Sequence, residues 1–176
     1  MPSGFDIPRD DVHTISESCA DQQQRFSSIA SRLVKDQRRL SRFVKKEVPS
    51  IAGQEGQVAL YLYAVVIRIF EAYGGRLKQA RQENIDAARE KVRGYAAGLL
   101  PFDDSFPDRV RAIEERAQPH ILDEALHALF EREEIEDNEI DVDLDKAGLI
   151  FLILWAVTEA LDSVWTPPKD APAAAE

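Results

Sequence analysis

The sequence predicts an all-α fold: a single-domain bundle of five to six helices with a long N-terminal helix and a buried central helix. Three observations carry that expectation. Apolar residues recur at helical spacing from Ile15 to Phe43. The stretch from Val58 to Ile67 is apolar almost all round, as a central helix must be. Strand-like alternation is confined to Ile140-x-Val142-x-Leu144. The chain has 176 residues, 44% apolar and 31% charged. A domain of that size buries about two-thirds of its unfolded surface.

Each element has its own local reason. Residues 1–12 carry Pro2, Gly4 and Pro8 and are expected to form an irregular arm ahead of a bundle over 13–165. A helix from about Ser16 to Val48 follows, closed by Pro49, with an apolar seam of Ile15, Cys19, Phe26, Ile29, Leu33, Leu40 and Phe43. Gln22 and Asp36 fall where a strict coiled coil keeps apolar residues, which favours an antiparallel bundle over a rod.

Gly53 and Gly56 mark the loop into a second helix, Gln57 to Tyr73, which Gly74-Gly75 terminates. A third helix is expected over Arg76 to Gly98, on a thin seam of Leu77, Ala80, Ala88, Val92, Tyr95 and Leu99. Ser105, with Pro107 and Asp108, has the spacing to cap a fourth helix that kinks or restarts at Pro119 and runs to about Glu134. The last helix spans about Asp145 to Trp165, and residues 166–176, rich in Pro and Ala, are expected to be disordered.

Composition narrows the function classes. Cys19 is the single cysteine, so neither an internal disulfide nor a cysteine-based zinc cluster can form. No basic segment leading into an apolar one opens the chain, and the apolar run Ala147 to Val157 is eleven residues long. A membrane span needs about 20, so the expectation is a cytoplasmic protein with no membrane partner. No Ser-His-Asp order, nucleophile elbow, phosphate-binding Walker loop or dinucleotide fingerprint is present. The expected role is therefore non-catalytic, with no assigned catalytic residue, metal or cofactor.

His120-x3-Glu124-x2-His127 is the metal-like motif, and its second half matches the Glu-x-x-His unit of di-iron carboxylate bundles. On a helical wheel Glu124, His127 and Glu131 lie within about 40° of His120. Leu122, Ala125, Leu126 and Leu129 lie opposite, so the polar face is expected to meet solvent. No second Glu-x-x-His completes a two-metal site, and His13 with Glu17 forms only a lone pair.

Glu131 to Asp145 holds nine carboxylates in fifteen residues. Within it, Asp141-x-Asp143-x-Asp145 resembles the opening of a calcium loop, but Lys146 and Leu152 occupy the positions that need Gly and Glu. Asp143 or Asp145 is expected to cap the last helix instead, where negative charge suits the dipole. Glu71 and Glu159, at the ends of the two most apolar helices, are expected in edge positions or structural ion pairs.

Charge is segregated. Residues 1–100 carry 16 basic and 12 acidic residues, residues 101–176 carry 6 and 20, and the whole chain is at −10. The basic share concentrates in Arg32, Lys35, Arg38, Arg39, Arg42, Lys45 and Lys46. Arg38, Arg39 and Arg42 are thus candidate partner-binding residues. Leu152 and Trp155 are the other candidates, because they share an arc with Gly148, Glu159 and Asp162 whose polar end suggests an outward face. The expected function is a non-catalytic helical protein acting through protein–protein contacts or self-association, as an accessory subunit, regulator or inhibitor-like partner. The alternatives are a nucleic-acid-contacting subunit of a ribonucleoprotein, through the strip Arg32 to Lys46, and a metal- or ligand-binding bundle.

Overall fold

The computed structural model describes residues 3–47, 54–131 and 142–171. Its order is α1 (Arg9–Gln22), α2 (Gln24–Asp36), α3 (Arg38–Glu47), α4 (Gln54–Tyr73), β1 (Arg76–Leu77), α5 (Gln82–Leu99), α6 (Phe106–Arg111), α7 (Pro119–Phe130), α8 (Leu144–Ser163) and β2 (Trp165–Thr166). The all-α class holds, with eight helices among the described residues where five or six were expected.

The two most apolar helices make the centre. α8 packs on α4, α5 and α7, while α1 lies across α4 and α7 and α2 lies against α4. α4 and α8 run in the same direction. Lys146 meets Glu55 at their starts (3.4 Å) and the Trp165 indole donates to the Gly74 carbonyl at their ends (3.0 Å). Among the described helices, α4 is long and apolar enough to cross a membrane, and half of that stretch is buried inside the fold. Tyr63, Phe70, Phe106, Phe151 and Trp155 fill the core, with Phe106 edge-on to Phe151 at 5.7 Å. Aromatic side chains of this size supply the largest share of hydrophobic stabilisation per residue.

The expected long N-terminal helix is three helices. The chain turns at Gln23, with φ 46° and ψ −113°, and again at Gln37, with φ −107° and ψ 63°. The breaks follow directly after Gln22 and Asp36, the two residues that interrupt the apolar seam. A continuous rod would carry those polar side chains across the interior. Two turns instead let Phe26, Leu33, Leu40 and Val44 each reach the core.

Other boundaries also move. The helix expected from Arg76 begins at Gln82, because residues 76–77 pair with Trp165 and Thr166 in a two-stranded antiparallel ribbon. That pairing orders the first residues of the tail; 172–176 lie outside the described residues. The helix restarts at Pro119 as expected, whereas Ser105 gives no side-chain cap to α6. Asp143 does cap α8, accepting from the Lys146 backbone at 2.9 Å. The remainder of the acidic segment from 132 to 141, with the Asp141 of the calcium-like motif, lies outside the described residues.

The N-terminal arm is shorter than expected, since α1 starts at Arg9. It is also tied down over long sequence distances. Gln118 donates to the Phe5 carbonyl (2.7 Å) and accepts from the Ile7 amide (2.9 Å), and the Ser3 hydroxyl donates to Asp162 (2.6 Å).

Candidate functional site: a cationic face and the cleft beside it

α3 is amphipathic at short range. Leu40, Ser41 and Val44 turn inward, and the Ser41 hydroxyl donates to the Val34 carbonyl at 2.7 Å. Helical spacing then sends Arg38, Arg39, Arg42, Lys45 and Lys46 outward, and all are exposed. None of these cations makes an ion pair among the described residues. Arg32 is different. It lies on α2, behind the Gln37 turn, and grips Glu71 through both guanidinium nitrogens (2.7 and 2.9 Å) while reaching Asp36 at 3.5 Å. Arg68 joins Glu71 at 2.7 Å. The expected ion-pair role of Glu71 is what the geometry gives, and these hydrogen bonds hold its carboxyl below the ordinary range.

A strap over residues 76–81 runs beside α3. The Gln37 side chain is buried and holds the strap from below, donating to the Lys78 carbonyl and accepting from the Ala80 amide, each at 2.9 Å. Gln79 donates to the Asp36 carbonyl at 3.2 Å, and the Lys78 amide donates to the Val164 carbonyl at 3.1 Å. Gly75, at φ +83°, lets the strap approach β2; a Cβ there would run into the Thr166 carbonyl oxygen. The strap, the start of α5 and residues 163–167 line a cleft of about 720 Å³, to which α3 adds Arg39 beside Lys78 and Arg81.

Two buried carboxylates, Glu159 and Asp162, line a smaller cavity that shares Glu83, Asn84 and Ser163 with the cleft. Glu159 accepts from the Trp155 indole (3.0 Å), the Ala117 amide (2.9 Å) and the Lys91 ammonium (3.0 Å). Asp162 accepts from Ser3 and from Gln118 Nε2 (2.8 Å). Both tie distant segments together, so Glu159 is the structural ion pair the sequence suggested. Asp6 lies near Asp162 and His120; burial and the Asp162 charge raise its pKa, against the pull of His120.

Trp155 requires a correction. It is 0% exposed, stacked on Tyr95 at 5.8 Å and packed against Phe151. The arc that placed it outward was read from Glu159 and Asp162, and those carboxylates are inside because partners far along the chain satisfy them. Leu152 is only partly buried and packs against the core, so no Trp155–Leu152 surface patch exists.

The His120 motif also departs from expectation. His127 is exposed, but α1 covers part of this face and brings His13 to Glu124 (3.3 Å) as well as to Glu17 (3.1 Å). His120 is half-buried, and its Nδ1 is buried without a hydrogen-bond partner. Among the described residues, no group of three His, Cys, Asp or Glu is arranged to hold a metal ion.

Sequence reasoning identified Arg38, Arg39 and Arg42 but missed Lys78 and Arg81. The available signal was Gly74-Gly75, which marks a chain reversal and so a return of residues 76–81 toward the preceding helices. No family model, no curated protein and no solved structure matches this chain.

Proposed function

We propose that this chain is a non-catalytic, intracellular helical protein that docks an acidic protein partner through the outward face of α3. One observation carries the reading: Arg38, Arg39, Arg42, Lys45 and Lys46 crowd a ten-residue helix without an ion pair among the described residues. Arg32, on the neighbouring helix, is neutralised by Glu71 and Asp36. Unpaired cations on a rigid helix project their field into solvent and speed encounter with an anionic surface.

A protein partner fits this face better than nucleic acid. The net charge of −10 opposes the approach of any anion at long range, and most strongly that of a nucleic acid, whose backbone carries a charge at every phosphate. The strip also lacks a free aromatic for base stacking, since Phe43 is half-buried and the Arg89 guanidinium lies 5.4 Å from its ring centre.

The test compares the full chain with its Arg38→Glu, Arg42→Glu, Lys45→Glu variant in cross-linking enrichment, followed by titration against the purified protein recovered. The reading expects an acidic partner, at least tenfold weaker binding by the variant, and binding that weakens with salt. Recovery of nucleic acid, lost in the same variant, would establish the ribonucleoprotein alternative. Association indifferent to the three reversals would overturn the face altogether.

A further inference from the structure

The cleft beside the cationic face has the dimensions and chemistry of a small-ligand site. Its volume of about 720 Å³ falls within the range of about 300–1,000 Å³ usual for ligand pockets. Arg39 and Lys78 make no ion pair among the described residues, and Arg81 reaches only Glu83, 3.9 Å away, where both side chains are solvated. The lining of the cleft thus carries three cations and one carboxylate, Glu83. Like charges gathered this way repel, and a bound anion relieves that repulsion. The surplus of two positive charges matches a phosphomonoester, which carries about −2 at neutral pH, better than a single carboxylate. Arginine's planar fork suits phosphate oxygens geometrically.

The rest of the cleft suits an uncharged body. Asn84, Ser163 and Thr166 offer neutral polar groups along its lining. A smaller cavity of about 260 Å³ shares Glu83, Asn84 and Ser163 with the cleft and is lined as well by Ala87, Ala88, Lys91, Glu159 and Asp162. Glu159 and Asp162 are already engaged with Trp155, Ala117, Lys91, Ser3 and Gln118. The small cavity therefore presents methyl groups, the Lys91–Glu159 ion pair and, at the end it shares with the cleft, Glu83.

We propose that this cleft binds a phosphorylated small molecule, its phosphoryl group held by Arg39, Lys78 and Arg81 and its neutral part directed toward Asn84, Ser163 and Ala88. The cleft shares Arg39 with the docking face of α3, and Lys78 and Arg81, which lie outside α3, separate the two assignments.

The experiment is an amide-resolved NMR titration of the full chain with inorganic phosphate, glycerol 3-phosphate and a phosphoserine peptide at constant ionic strength. Saturable shifts are expected at Gln79, Arg81, Asn84 and Ser163, with glycerol 3-phosphate the tightest ligand. The Lys78→Ala, Arg81→Ala variant should bind at least tenfold more weakly, with its spectrum elsewhere unchanged. Arg93→Ala, a charge loss on the exposed side of α5, should bind as wild type. Shifts that spread to Arg38, Arg42 and Lys45 without saturating, or binding that survives the double substitution, would overturn the site. Tighter binding of the phosphoserine peptide would overturn the small-molecule assignment.

Discussion

Trp155 donates its indole hydrogen to Glu159 one helical turn further along α8, at 3.0 Å. The pair is the pivot of the interior. The same carboxylate accepts from the Ala117 amide, fixing the chain before α7, and from Lys91, fixing α5. Glu159→Gln retains an acceptor oxygen and loses only the ion pair, so a loss of about 1 kcal/mol is expected. Glu159→Ala strands the Trp155 and Ala117 donors and should cost about 3 kcal/mol. Urea denaturation of both variants measures the difference, and equal losses would remove the carboxylate from this role.

Gln118 holds the N-terminal arm from a backbone position with φ 50° that few side chains adopt, and its side chain is 1% exposed. Gln118→Ala should destabilise the fold by about 2–3 kcal/mol, through the unpaired Ile7 amide and Asp162. Gln118→Gly loses the same bonds but relieves the left-handed backbone, so it should be less destabilised by about 1 kcal/mol. Hydrogen exchange should quicken at the Ile7 amide in both.

Gly75 sets how closely the strap approaches β2. Gly75→Ala places a methyl against the Thr166 carbonyl at φ +83°, and should cost about 2 kcal/mol or more. The loss should be local: faster exchange of the Lys78 amide, which donates to Val164, with the α4 amides still protected.

The Arg32–Glu71–Arg68 cluster gives a signed pH dependence. Its hydrogen bonds hold the Glu71 carboxyl below its ordinary value of 4.5, so the ionised form is the one the fold stabilises. That contribution is complete above pH 4.5 and is lost as pH falls through the folded-state value. Wild type should exceed Glu71→Gln in stability by about 1 kcal/mol at neutral pH, and the two melting temperatures should converge on acidification. A gap that persists unchanged in acid would assign the effect to packing.

Helix content and the apolar centre were legible because each rests on local periodicity: α4 and α8 bury the residues their patterns mark. Gln22 and Asp36 were legible too, as interruptions, yet their meaning as turns depended on what Gln23 and Gln37 would meet. Gln37 is satisfied by Lys78 and Ala80, forty residues away, and no local pattern encodes that. The same limit explains Trp155. A helix face bearing Glu159 and Asp162 looks solvated until Lys91, Ser3 and Gln118 arrive from elsewhere in the chain. The cations of α3 were visible from the start, because exposure of a charged stripe follows from helical spacing alone. Their extension to Lys78 and Arg81 needed the ribbon.

The most direct test of the proposed docking face is the salt-dependent affinity of whatever protein cross-linking recovers for wild type and for the Arg38→Glu, Arg42→Glu, Lys45→Glu variant. Matched melting temperatures for the two chains confirm that only the surface has changed. The account predicts at least a tenfold loss, carried mainly by slower association, and a flattened salt dependence. Equal affinity at every salt concentration would contradict it.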